Sequence, residues 1–188
     1  VAAEIKDSEQ ELADSLKELV LRVPFEKITI KQITDGAGVI RVTFYNHFQD
    51  KYDLLGWIIR RQILEPVRIL LLNNMYREAI VLIFSNLLRD KAFYTRVARI
   101  EGQNSFEEIS EECIRELLLQ LFTERAERKG NPDHPWLTPD NLAKYYARSM
   151  NFIVQQWIES GMSVPPEEIA AIYEKIGTHS MWEMLQEL

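Results

Sequence analysis

At 188 residues, with 46% hydrophobic and 27% charged side chains, the chain has the make-up of an ordinary globular protein. That excludes a disordered or fibrous chain and exceeds a single minimal module, so a small head on a larger body is the natural expectation. The net charge of −7 weighs against a polyanionic partner, but it is unevenly spread: residues 1–61 hold nine Lys and Arg against ten Asp and Glu, and residues 62–188 hold thirteen against nineteen.

Apolar residues recur three and four apart in nearly every segment, which predicts an all-α fold of roughly nine helices. Leu12, Leu16, Leu19, Val20 and Val23 line a first helix opened by Ser8 with Glu11 as a capping box and closed before Pro24. Thr29 is placed to cap a short second helix reaching about Ala37, and Gly38 supplies the permissive backbone of a tight turn. A third helix runs from about Ile40 to His47. Asp50 caps a fourth that carries Leu54, Leu55, Ile58 and Ile59 and is interrupted or kinked near Pro66. Further helices are predicted at about 75–89, 91–101, 105–129, 139–160 and 166–187. Asn73-Asn74, Gly102, the loop 130–135 and Gly161 to Pro166 separate them. The expected division is a head over 1–50 and a body over 51–188, joined rigidly by the fourth helix.

No apolar run reaches the roughly 18 residues of a membrane span, and the first residues lack a basic-then-apolar leader, so the protein is expected to be cytoplasmic. Cys113 is the sole cysteine and sits at helical spacing between Ile109 and Leu117, as a buried apolar side chain would. His134 and His179 have no ligand-spaced companions, so no metal site and no cofactor is expected. The sequence offers no nucleophile–base pair and no phosphate-cradling glycine loop, which argues against an enzyme.

The informative stretch is residues 27–55, KITIKQITDGAGVIRVTFYNHFQDKYDLL. Two short helices joined by a glycine turn can set the second in a DNA major groove while the first rests on the backbone. Ile33, Ala37, Val39, Phe44 and Phe48 form the apolar set that holds the pair together, with Leu54 and Leu55 closing it. Lys31, Arg41, Thr43, Tyr45, Asn46, His47 and Lys51 remain for the outer face. The guanidinium of Arg41 suits guanine O6 and N7 and suits a phosphate equally well; Thr43, Tyr45 and Asn46 fit bases or backbone. His47 and Lys51 look like phosphate clamps, Thr29 could combine capping with a backbone contact, and Lys31 could reach a base edge or a phosphate.

This stretch resembles the TetR family of bacterial transcriptional regulators. The family pattern I-A-x-x-A-G-V-S-x-x-T-x-Y-x-H-F-x-x-K-x-x-L stands here as Ile33, Thr34, Ala37, Gly38, Val39, Ile40, Thr43, Tyr45, His47, Phe48, Lys51 and Leu54. PFEKITIKQI, TFYNHFQDKYDLL and GQNSF resemble the low-GC Gram-positive branch that includes activators of dihydroxyacetone-kinase operons. Two departures stand out. Ile40 replaces the usual Ser, which loses a side-chain cap worth about 1 kcal/mol, and Gly36 inside the second helix costs about another 1 kcal/mol relative to Ala. Both predict a frayed, adaptable reading helix.

The resemblance implies a homodimer on a pseudo-palindromic double-stranded DNA operator, with an effector cavity in each body. Tyr145, Ile153, Trp157, Ile169, Tyr173 and Ile176 are the candidate dimer face. Phe84, Phe93, Arg96, Gln103, Phe122 and Tyr146 are the candidate effector contacts, for an apolar or aromatic small molecule. The alternative is a body that answers to a partner protein.

Overall fold

The computed structural model describes residues 8–129 and 134–187, and every regular element among them is helical. The predicted loop 130–135 therefore falls mostly outside the described residues, as does whatever precedes Ser8. Helix α1 (Ser8–Val20) buries Leu12, Ala13, Leu16 and Val20. A single 3-10 turn (Phe25–Lys27) leads to α2 (Ile30–Ala37), α3 (Arg41–His47) and α4 (Lys51–Ile59). Thr29 caps α2 through a full capping box: its hydroxyl accepts from the Gln32 amide and its own amide donates to Gln32 Oε1. Asp50 caps α4 by accepting from the amides of Tyr52 and Asp53 at 2.8 and 2.9 Å. Ile33, Phe44, Phe48, Leu54 and Leu55 are all buried where these helices meet.

Gly36 has a different role from the one expected. A Cβ there would collide with Ser15 Oγ, the hydroxyl that donates 2.8 Å to the Ile33 carbonyl and fastens α1 to α2. The glycine lets the α2 backbone sit directly on the Ser15 side chain, so its low helix propensity is exchanged for packing and does not signal fraying.

The interruption expected near Pro66 is a π-helical segment (Arg60–Leu64) that connects α4 to α5 (Glu65–Leu72). Pro66 has no amide hydrogen to give to the carbonyl four residues back, Gln62. Asn86 of α6 (Tyr76–Arg89), itself buried, donates to that carbonyl at 3.2 Å and satisfies it. The body is completed by α7 (Lys91–Val97), α8 (Phe106–Lys129), α9 (Pro139–Glu159), α10 (Pro166–Thr178) and α11 (Met181–Glu187). The last predicted helix, 166–187, is thus two. Ser180 and Glu183 form a capping box that restarts the chain after His179.

Head and body meet at a polar node. Lys17 of α1 donates to Gln62 Oε1 at 2.9 Å and pairs with Asp90 between α6 and α7. Cys113 is buried beneath Gly56 and Arg60, and burial pushes its thiol up to about 11, an unreactive thiol.

Lys51 requires correction as a phosphate clamp. Its ammonium donates to three backbone carbonyls, Phe25, Glu26 and Ile28, at 2.8, 2.9 and 3.0 Å, and lies over the Phe25 ring. An ammonium has three hydrogens, and all are engaged. Burial lowers its pKa, opposed by Glu26 and Asp50. Lys51 ties the start of α4 to the turn that orients α2.

Two substitutions check this wiring. Gly36→Ala should lower stability by about 1–3 kcal/mol in denaturant melts, because the overpacking outweighs the propensity gain of about 1 kcal/mol; a more stable variant would show that α2 can move off α1. Lys51→Met should cost about 1–3 kcal/mol from orphaned carbonyls. The dependence of DNA affinity on salt should stay unchanged, whereas loss of a phosphate contact lowers the logarithmic slope by about one.

Candidate nucleic-acid interface

The turn between α2 and α3 is closed by Gly38 in the left-handed region, φ +68° and ψ 27°. Its amide donates to Asp35 and the Val39 amide to Thr34, both carbonyls of the last turn of α2. Val39 then turns toward the core, and Ile40, extended at φ −87°, starts α3 with no side-chain cap, as the Ser-to-Ile departure implied.

From this start α3 buries Phe44 alone and exposes its other face. Arg41 and Tyr45 lie one turn apart and are paired: the guanidinium carbon is 5.9 Å from the ring centroid and Nη2 is 3.4 Å from the hydroxyl. Neither is tied to an acidic group among the described residues, so the guanidinium presents free donors outward. Asn46 is exposed beside them and Thr43 is half-buried. His47 points back, its Nδ1 3.3 Å from Glu9 of α1, and joins the end of α3 to the first helix. Lys31 forms an exposed i,i+4 pair with Asp35 at 2.6 Å, an interaction that a phosphate can replace at little cost. Thr29 stands exposed at the start of α2.

Of the eight predicted residues, Thr29 and Lys31 are exposed on the side of α2, and Arg41, Tyr45 and Asn46 on α3; Thr43 is half-buried, His47 is turned to Glu9, and the Lys51 ammonium is spent on backbone carbonyls. The reading missed two others. Ile40 is 69% exposed and Val42 63% exposed, flanking Arg41 on a helix otherwise able to bury such groups. For Val42 the signal was present, since two residues from Phe44 it lies off the i, i+3, i+4 stripe and has no core to face; Ile40 stands at core spacing, four residues before Phe44, and is exposed as the extended residue that starts the helix.

In the body the predicted effector contacts separate. Phe122 and Tyr146 line an internal cavity, their rings 5.9 Å apart. Phe84 is instead packed edge-on against Trp157 and Phe93 against Tyr94, both outside the lining, while Arg96 and Gln103 are exposed at the surface. The dimer set also divides. Trp157, 2% exposed and donating from Nε1 to the Val164 carbonyl, belongs with Ile169 to the protomer's own core. Tyr173 and Ile153 are half-buried, Tyr173 against the cavity. Tyr145 and Ile176 remain exposed, as do Phe152 and Ile172 on the same two helices.

No helix of the described residues is long and apolar enough to cross a membrane. Residues 13–56 match the family described as bacterial regulatory proteins, tetR family. Residues 74–178, more than half of the chain, match the family described as transcriptional regulator C-terminal region. The HTH-type dhaKLM operon transcriptional activator DhaS of Lactococcus lactis subsp. lactis (strain IL1403) is 25% identical over 158 residues, covering 81% of this chain and 80% of its own. Among solved structures, the dihydroxyacetone kinase operon activator DhaS has a TM-score of 0.59 at 20% identity, covering 90% of this chain and 93% of its own. A structure described as a TetR-family regulator from Syntrophomonas wolfei str. Goettingen reaches 0.63 at 18% identity, covering 91% and 93%; at these identities the likeness speaks for the fold. With head and body matched in chain order, the chain belongs to the TetR family of bacterial transcriptional regulators, and it is a regulator and not an enzyme.

Proposed function

We propose that the protein acts in the cytoplasm as a homodimer on a pseudo-palindromic operator, each head, residues 1–50, setting α3 into one major-groove half-site. The observation that carries this reading is the outer face of α3, where Arg41 offers unpaired donors between two exposed apolar side chains. An aqueous surface gives Ile40 and Val42 nothing to pack on, whereas thymine 5-methyl groups line a major groove. Arg41 reads a guanine edge, Val42 a thymine methyl, and Tyr45 and Asn46 the neighbouring bases. Thr29, Lys31, Thr43 and His47 meet the phosphates and fix register. Residues 27–51 hold Lys27, Lys31, Arg41 and Lys51 against Asp35 and Asp50, a small positive excess that suits a short-range grip.

The exposed residues Tyr145, Phe152, Ile172 and Ile176 on α9 and α10 support burial against a second copy, since a scatter of four large apolar groups on adjacent helices matches the aromatic-rich core of an interface. The body, residues 51–188, takes an apolar small-molecule effector in its cavity and shifts operator affinity by binding two states of the dimer unequally. A second reading, a body that answers to a protein, is favoured by α11, where Met181, Trp182 and Leu185 are all exposed. Gel filtration against candidate partners separates the two.

Selection from random duplex DNA should enrich a two-fold motif, and binding should fall steeply with salt. Arg41→Ala should relax preference at a guanine. Replacing selected thymines by deoxyuridine, which lacks the methyl, should weaken the wild type by about fourfold at one position per half-site and leave Val42→Ala unaffected. Failure to enrich any motif would defeat the DNA reading. Equal sensitivity in both proteins would defeat the role of Val42 alone.

A further inference from the structure

The body encloses a cavity of about 400 Å³. Helix α8 lines it from Phe106 through Ser110, Ile114 and Phe122 to Arg125, a span of roughly 28 Å at the helical rise. A cavity whose lining extends along about five turns of one helix is elongated, a channel in outline, and suits a linear molecule better than a compact ring system.

The two ends differ. At the inner end Phe106 and Tyr94 are fully buried. The Tyr94 hydroxyl has under 1 Å² of accessible surface and no hydrogen-bond partner, so the residue presents ring carbons to the cavity. Burial raises its pKa well above the usual range and keeps it neutral. The single hydrogen of the Ser110 hydroxyl is shared between the Phe106 carbonyl at 2.6 Å and Asn151 Oδ1 at 2.7 Å, and Asn151 Nδ2 donates to the Glu107 carbonyl at 3.1 Å. Nothing charged faces this end.

At the outer end Tyr76 and Arg125 reach solvent. Arg125 is the one charged residue lining the cavity among those described. Its guanidinium is held by neutral acceptors, Asn74 Oδ1 at 2.8 Å and the Tyr76 hydroxyl at 3.2 Å. The adjacent acid, Glu124, is occupied by Arg68 at 2.8 Å. A guanidinium oriented by two neutral groups keeps N–H donors and an unbalanced charge for a third.

We infer that the channel binds a linear amphiphile with a single carboxylate, its head at Arg125 and its unbranched apolar tail running inward to Phe106. One exposed cation on a chain of net charge −7 balances a monoanion; a doubly charged phosphate head would carry charge with no second cation in the lining to meet it. This rests on the reading of the body as an effector-binding domain, and it adds the chemical class of the effector.

The test is calorimetric titration of the full chain with saturated carboxylates of increasing length, with the matched alcohols and with one matched alkyl phosphate. Affinity should rise about fourfold per methylene until the tail reaches the inner end, then stop rising. Carboxylate should exceed alcohol by about three- to tenfold, the scale of a partly exposed charge-assisted contact, and exceed phosphate as well. Arg125→Gln should abolish the carboxylate preference and leave alcohol binding intact. Ile114→Trp, which blocks the channel, should shorten the longest chain accepted. Alcohol binding as tightly as carboxylate, preference surviving in Arg125→Gln, stronger phosphate binding, or no binding by any chain would each overturn the inference. If carboxylates bind as stated but operator affinity in a gel-shift assay does not change, the effector reading falls and the chemistry of the channel stands.

Discussion

The left-handed backbone at Gly38 decides what α3 can do. With the Val39 amide bonded back to Thr34, the chain leaves α2 at one angle only, and Val39 is directed into the core. Phe44 must then point inward, and helical spacing sends Val42, Tyr45 and Asn46 away from it, while Arg41, one turn before Phe44 at the start of the helix, is exposed. A residue with a Cβ at this φ would strain the turn, although no neighbouring atom crowds it. The requirement is therefore one of backbone conformation, and it precedes every contact that the head makes.

Orientation within the head is fixed by bonds that cross long stretches of sequence. Ser15 to Ile33 holds α1 on α2, Lys51 holds α4 on the turn before α2, and His47 to Glu9 ties the end of α3 to α1. Ile40 leaves α3 without a side-chain cap, a loss of about 1 kcal/mol. The His47 tie at its last residue and the buried Phe44 at its middle offset that loss for a seven-residue helix too short to persist alone. A weak cap is tolerable because the helix is held from outside.

What the sequence made legible follows the range of the interaction. Thr29 and Asp50 accept from amides two or three residues on, and Gly38 sets the backbone of its own turn, so their roles could be read from spacing. Lys51 could not be: its acceptors lie 23 to 26 residues away, and a lysine after an exposed helix looks like a phosphate contact until its partners are known. Gly36 was misread for the same reason, since Ser15 lies on another helix. The cavity was the least legible feature. Apolar periodicity tells which residues turn inward but not where packing leaves space, so Phe84 and Trp157 filled core while Ile114 and Leu121 lined a void. The break before α11 was legible and overlooked, because Ser180 and Glu183 have capping-box spacing.

The channel takes one wall from the helix that joins head to body. Ile59 ends α4, and Ile63 and Leu64 belong to the π segment; all three line the cavity. The same segment carries Gln62, whose side chain accepts from Lys17 of α1 and whose carbonyl accepts from Asn86. A π turn is a wider and less common winding than the α-helix on either side, so this stretch of the connector is where a change of winding is least expensive. On the proposed reading, a tail lodged against Ile63 acts on the residue next to the one that grips the head. The coupling free energy must then be reciprocal: operator DNA that holds the two heads at one spacing alters the affinity of the channel by the same factor that the ligand alters the affinity for DNA.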